Sequence, residues 1–106
     1  MKKSKEEKPL APSFVATGFL VMKDGQPCTI ENVSGRRKGG VLRPRGSEDE
    51  MVAHFLKRRD ARRAIDRTSA CVAELRGSMI EDWARARVPA LFVAGHFTIQ
   101  PLGRQA

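Results

Sequence analysis

The dipeptide Asp24-Gly25 constrains the fold of this sequence more than any other feature. It separates two segments, 14–23 and 26–33, that are rich in β-branched and aromatic residues. Both of its residues tolerate the positive φ angles of a tight turn, so the pattern predicts a β-hairpin. Apolar residues occur at odd and even positions of the first segment, which predicts a strand that is central or covered on both faces. Pro27 cannot donate a ladder hydrogen bond, so we expect the second strand to be an edge strand or to begin with a bulge.

A long helical pattern follows the hairpin. Ser47 and Glu50 have the spacing of a capping box, and the acidic residues around Glu50 suit the positive end of a helix dipole. Pro89 cannot continue a helix, and basic residues precede it where the dipole favours positive charge. Together these signals predict a helix from Ser47 to about Arg87.

The apolar residues of this predicted helix form two stripes. Met51, Val52 and Phe55 lie about 120° around the helix from the main stripe, so one straight helix cannot bury both against one sheet. We therefore expect a bend or break near residues 57–60, with Asp60 as a candidate cap. The helix that carries the main stripe is longer than the strands of a small sheet, so part of the stripe extends beyond the sheet. A homodimer is one way to bury that part. Its members are Ala61, Ile65, Thr68, Val72, Leu75, Met79, Trp83 and Ala86.

A third strand-like segment, 90–101, comes after Pro89 and should join the hairpin. The order β-β-α-β predicts an α+β fold, in which a small antiparallel sheet made of the N-terminal hairpin and the C-terminal strand packs on a long or bent helix. A chain of 106 residues suits one domain. We assign this domain to residues 13–103, and a flexible basic tail to residues 1–12, which hold mixed charge and two prolines.

The chain is strongly basic. It has 20 Lys and Arg against 12 Asp and Glu, a net charge of +8. Most of the cations are arginines, whose fork of donors suits phosphate and carboxylate groups, although a GC-rich genome also raises arginine content. We predict that two clusters, one in the glycine-rich loop 34–46 and one on the helix, bind nucleic acid or an acidic partner. They comprise Arg36, Arg37, Lys38, Arg43 and Arg45 in the loop, and Lys57, Arg58, Arg59, Arg62 and Arg63 on the helix.

Catalytic and metal-binding patterns are missing from the sequence. Cys28 and Cys71 form no C-x-x-C pair and are expected to be buried, reduced thiols. We expect His54 to be solvated and His96 to be hydrogen-bonded at the edge of the core. A Cys–His pair that meets only in space is the enzymatic alternative. The glycine-rich loop lacks the Lys-Ser or Lys-Thr of nucleotide-hydrolysing P-loops. We therefore predict a protein without enzymatic activity, metal or cofactor.

These features favour a nucleic-acid-binding accessory protein that contacts the phosphate backbone of DNA or RNA through the basic loop and the basic helix face. The alternative is a small inhibitor or adaptor that occupies an acidic or nucleic-acid-handling surface of a larger complex. In size, and in lacking enzymatic motifs, the chain is similar to the short inhibitors that phages direct against host defences, anti-CRISPR proteins among them. Residues 1–22 superficially resemble a signal peptide, but acidic residues and prolines interrupt the apolar run and no A-x-A site follows. The sequence also has no membrane-spanning segment, so we expect a cytoplasmic location and no membrane partner.

Overall fold

The computed structural model describes residues 14–31 and 40–105, so the tail predicted at residues 1–12 lies outside the described residues. Within the described ranges the chain forms an antiparallel sheet of five strands, two α-helices and one 3₁₀ turn, which confirms the α+β class. The elements are β1 (Phe14–Lys23), β2 (Gln26–Glu31), β3 (Val41–Pro44), β4 (His54–Phe55), α1 (Arg58–Leu75), α2 (Glu81–Arg87), the 3₁₀ turn Pro89–Phe92 and β5 (Phe97–Gln105).

The predicted hairpin is confirmed. Asp24 and Gly25 have φ angles of 51° and 82°, the pair of positive values that a tight turn between twisted strands requires. The β1–β2 ladder covers only two residue pairs beside this turn, the second being Met22 with Pro27. Beyond them β2 pairs with β3 instead. The expectation that Pro27 marks an edge strand is therefore wrong, because β2 lies between β3 and β1 in the sheet. Pro27 has no amide hydrogen to donate, but its carbonyl accepts the Arg45 amide at 2.9 Å.

The short strand β4 occupies the space that opens between β1 and β2. It pairs with β1 at Phe19 and Leu20, while the preceding Ala53 amide donates to the Cys28 carbonyl of β2 at 2.8 Å. On its other side β1 pairs along its whole length with β5, with one irregularity between Ala16 and Gly18. The prediction of a central first strand is thus confirmed.

The predicted helix start is wrong. Residues 47–53 are turns and coil, and β4 follows them. The Glu50 carboxylate does not cap a helix, because it accepts the Gly46 amide at 2.5 Å and pairs with Arg43. The first helix begins at Arg58, inside the range where we expected a break, and Asp60 lies in its first turn rather than at the cap.

The helical region ends at Arg87, as predicted, but it is not continuous, because α1 stops at Leu75 and α2 begins at Glu81. Gly77 has a φ of 78°, a left-handed conformation that glycine adopts without strain and that commonly terminates helices. The Glu81 carboxylate, in the first turn of α2, accepts the Gly77 amide at 2.7 Å and fixes the junction. The segment 90–101 is not one strand, because Leu91 and Phe92 are buried in the 3₁₀ turn and β5 starts at Phe97.

Two apolar clusters hold these elements together, and α1 contributes to both. The first lies between the sheet and the N-terminal half of α1, and its buried members are Phe19, Val21, Cys28, Leu42, Ala53, Ala61, Ala64, Ile65 and Ile99. The second joins α1 to α2, β3 and the 3₁₀ turn, and its buried members are Val41, Cys71, Leu75, Ala84, Val88, Leu91 and Phe92. Among the described residues, no helix combines the length and apolarity needed to cross a membrane.

Side chains of α1 attach it to strand β3. The Thr68 hydroxyl accepts the Leu42 amide at 2.8 Å and donates to the Ala64 carbonyl at 2.8 Å. The preceding residue of the helix, Arg67, donates through Nε to the Gly40 carbonyl at 2.7 Å. These bonds satisfy one backbone group of β3 and one of the residue directly before it, and they fix the orientation of α1 on the sheet.

Candidate nucleic-acid interface

The outer face of α1 carries a cluster of arginines. Ala61, Ala64 and Ile65 are buried on the side of the helix that faces the sheet. Because successive residues are 100° apart, the opposite side presents Arg59, Arg62 and Arg63, of which Arg59 and Arg63 are exposed and Arg62 is half-buried. We call these three arginines the basic face of α1. Lys57, directly before the helix, is also exposed.

Acidic residues only partly offset this charge. Residues 57–67 hold six cations, and Asp60 and Asp66 are the only acids among them. Asp66 is exposed on the outer side of the helix, and Asp60 is half-buried in the first turn, where it suits the helix dipole. This half of α1 therefore has a net positive charge that is directed away from the core.

Arg58 lies at the boundary between the basic face and the sheet. Its guanidinium carbon is 5.2 Å from the centroid of the Phe19 ring, and the side chain is half-buried. A cation over an aromatic face is attracted by the electron density of the ring. Arg58 therefore also packs against the core.

Arg43 is neutralised within the protein. Its guanidinium lies 3.1 Å from Glu31 and 2.5 Å from Glu50, and only 16% of its side chain is exposed. The hydrogen bond from Arg43, followed by that from the Gly46 amide, lowers the pKa of Glu50 to about 2. In turn Glu50, and less strongly Glu31, raise the pKa of Arg43. Arg43 thus joins the 45–50 turn to β2 and β3.

Arg45 is half-buried beside the same turn, with its guanidinium 3.5 Å from the Glu50 carbonyl oxygen. The remaining loop residues of the predicted site, Arg36, Arg37 and Lys38, lie outside the described residues. Their segment joins the described chain at Glu31 and at Gly40. Of the ten predicted residues, the structure therefore brings Lys57, Arg59 and Arg63 to an exposed surface, with Arg62 half-buried on the same helix, while Arg43 serves the fold.

The cysteine prediction is confirmed, and the histidine predictions need correction. Cys28 and Cys71 are free and buried, and burial raises the pKa of Cys28 to about 11, which keeps it protonated and unreactive at neutral pH. His54 is solvent-exposed as expected, but lies in β4 and not on a helix. His96 is exposed and not at the edge of the core; its backbone amide, at 3.2 Å, donates to the Asp24 carboxylate. No group of three potential metal ligands occurs within residues 14–31 and 40–105.

Sequence reasoning missed an exposed apolar cluster at the start of α2. Met79 is fully exposed, and Ile80 and Trp83 are 50% and 52% exposed. The predicted stripe includes Met79 and Trp83, but not Ile80, as a continuation of the apolar face. The helix α1 instead ends before Gly77, and both side chains are exposed. The glycine at position 77, inside the helical pattern, was the sequence signal that α1 ends there.

Comparison with protein-family models, curated proteins and solved structures found no match to this chain. Any assignment of function therefore depends on the geometry described above.

Proposed function

We propose that this protein is a nucleic-acid-binding accessory protein that uses the basic face of α1, together with Lys57, on phosphate groups. One observation carries the proposal: Arg59, Arg62 and Arg63 project from the outer side of a helix whose inner side is anchored in the core. Guanidinium groups bind phosphate oxygens through paired hydrogen bonds, and a fixed helix keeps their spacing constant.

The expected binding is electrostatic and weakly dependent on sequence. Each phosphate neutralised on double-stranded DNA releases counterions, so log K falls with log salt with a slope of about −0.9 per contact. Four contacts, from Lys57 and the basic face, correspond to a slope of about −3.6. Arg36, Arg37 and Lys38 remain predicted contacts, and each one that binds makes the slope steeper by about 0.9.

The test is a fluorescence-anisotropy titration of labelled single- and double-stranded DNA and RNA between about 50 and 200 mM salt. The variant Arg59→Gln/Arg63→Gln removes two charges from the basic face. Its matched control, Arg76→Gln/Arg104→Gln, removes two charges from exposed arginines elsewhere. We expect the first variant to bind more weakly, with a slope reduced by about 1.8, and the control to keep most of the affinity.

Two results contradict this assignment. Equal losses in both variants mean that net charge, and not the basic face, determines binding. No binding of any nucleic acid even at the lowest salt concentration removes the nucleic-acid proposal altogether.

A second candidate function is the small inhibitor or adaptor, anti-CRISPR-like in profile, that docks on an acidic or nucleic-acid-handling protein surface. The exposed Met79, Ile80 and Trp83 favour it, because large apolar side chains exposed close together on a small protein commonly mark a protein contact, and these three lie within residues 79–83. Under this function the basic face of α1 binds carboxylates in place of phosphates, since Arg suits both.

A further inference from the structure

The basic face of α1 and Lys57 form a short, dense row of positive charge. Lys57 and Arg63 are six residues apart, which corresponds to about 9 Å along the helix axis, and Arg59 and Arg62 lie between them. We infer that the ligand of this surface is a nucleic-acid duplex and not a single strand. The inference rests on the proposed function and names the form of nucleic acid for it.

The density of phosphates favours a duplex. A duplex carries one charge per about 1.7 Å of its axis, so about 9 Å of axis holds about five phosphates. One strand, with a phosphate every 3.4 Å or so, holds about three in the same length. The four cations of this surface therefore match the charge density of a duplex better than that of a single strand.

The rigidity of the surface favours the same ligand. Helix α1 keeps its arginines at fixed positions, because its inner side is anchored by the buried Ala61, Ala64 and Ile65. A duplex is stiff and presents its phosphates at fixed positions as well. A flexible single strand loses conformational entropy when it is ordered along the helix, and this loss weakens its binding.

Proteins that bind single strands offset this loss by stacking bases on aromatic rings. In this chain the phenylalanine rings are used by the core. Phe19 and Phe92 are buried in the two apolar clusters, and Phe55 and Phe97 pack against the first of them.

Cations of the chain itself also lie over three of these rings. The distances to the ring centroids are 5.2 Å for Arg58 over Phe19, 4.5 Å for Arg85 over Phe92 and 5.2 Å for Lys23 over Phe97. A base that stacks on one of these rings has to displace its cation, and the attraction between cation and ring is lost. Stacking on them therefore adds little to the affinity for a single strand.

Trp83 is 52% exposed, but it lies away from the basic face. It belongs to α2, whose buried Ala84 is in the same apolar cluster as Leu75 at the end of α1. Leu75 is about 18 Å along the helix axis from Arg63. A strand that stacks a base on Trp83 therefore has to cross most of α1 before it meets the basic face.

The salt dependence gives the size of the expected preference. Four contacts correspond to slopes of about −3.6 on a duplex and about −2.8 on a single strand, because each contact contributes about 0.9 or about 0.7. For forms that bind equally at 1 M salt, this difference makes the duplex about tenfold tighter at about 50 mM salt and about fourfold tighter at about 200 mM.

The experiment is a competition followed by fluorescence anisotropy at these two salt concentrations. A labelled DNA duplex of two helical turns is bound to the full chain. It is displaced by the unlabelled duplex or by either of its strands, chosen without self-complementarity, at equal phosphate concentration. A second arm repeats this with an RNA duplex and its strands, and the tighter of the two duplexes identifies the source of the phosphates. The emission of Trp83, the only tryptophan in the chain, is recorded throughout.

We expect the duplex to compete about tenfold better than its strands at the lower salt and about fourfold better at the higher. In Arg59→Gln/Arg63→Gln two contacts remain, so the preference at the lower salt should fall to about threefold. The matched control, Arg76→Gln/Arg104→Gln, should keep it near tenfold. Circular dichroism verifies that both variants are folded.

Two results overturn the inference and leave the proposed function standing. The first is that single strands compete as well as the duplex in both arms while Arg59→Gln/Arg63→Gln still weakens binding. The second is that a single strand quenches Trp83 and loses affinity for Trp83→Leu, which identifies a stacked base. If neither labelled duplexes nor labelled strands bind at the lower salt, the inference and the proposed function are both overturned.

Discussion

Replacing Thr68 with valine tests the contact that fixes α1 on the sheet. Thr68 is 2% exposed, and its hydroxyl accepts the Leu42 amide from β3. Valine has nearly the same shape but no hydroxyl, so the buried Leu42 N–H loses its partner. An unsatisfied buried donor costs about 1–3 kcal/mol, and the free energy of unfolding should fall by about 2 kcal/mol. For a domain of this size that corresponds to a fall in Tm of about 10 °C.

Thr68→Ser is the matched control. Serine keeps the hydroxyl and removes one buried methyl group, which costs about 1 kcal/mol. We therefore expect the wild type to be the most stable, Thr68→Ser less stable and Thr68→Val the least stable. If only the burial of apolar surface mattered, Thr68→Val would be more stable than Thr68→Ser. Urea unfolding followed by far-UV circular dichroism measures this order, and hydrogen exchange of the Leu42 amide should accelerate in the valine variant. A valine variant as stable as the serine variant refutes the reasoning.

The other stability predictions concern Glu50 and two glycines. Folding lowers the pKa of the Glu50 carboxyl from about 4.5 to about 2, so this group stabilises the fold above pH 4.5 and loses that contribution as the pH falls toward 2. The urea midpoint of the wild type should therefore fall more between those pH values than the midpoint of Glu50→Gln. Parallel pH profiles of the two proteins contradict this. Gly40→Ala should destabilise more than Gly77→Ala, because both have positive φ but only at Gly40 does an added Cβ come within 2.7 Å of Ile30 and 2.9 Å of the Glu31 carbonyl oxygen. Equal changes in their urea midpoints show that backbone strain alone governs both positions.

Local patterns predicted the parts of the fold that local forces determine. The Asp24-Gly25 turn and the apolar residues on both faces of β1 are properties of adjacent residues, and the predicted turn and central strand are both confirmed. Strand β3 escaped prediction because only Val41 and Leu42 show apolar character within a basic, glycine-rich segment. What makes it a strand is tertiary, since β2 pairs with one of its sides and Thr68 of α1 bonds to the other.

The false helix start has the same origin. Ser47 and Glu50 have the spacing of a capping box, but a stronger ion pair with Arg43 takes the Glu50 carboxylate. The pairing of β2 with β3 places Glu31 beside Arg43 as well. The sequence does not show this contact, so it could not indicate that Arg43 is neutralised within the protein. Arg59 and Arg63 could be placed on the outer face because helical periodicity alone determines their position.

The pairing of β1 with β5 also determines when this sheet can be completed. The central strand β1 lies near the start of the chain, whereas its full-length partner β5 follows both helices. The pairs run from Lys23 with Phe97 to Phe14 with Gln105. Pairings between segments so far apart close a large loop before they gain any contact, and they form slowly. Until β5 has been synthesised, one side of β1 is an unpaired edge that can recruit other strands. During translation, the central strand of the finished sheet therefore exposes an unpaired edge until β5 is made.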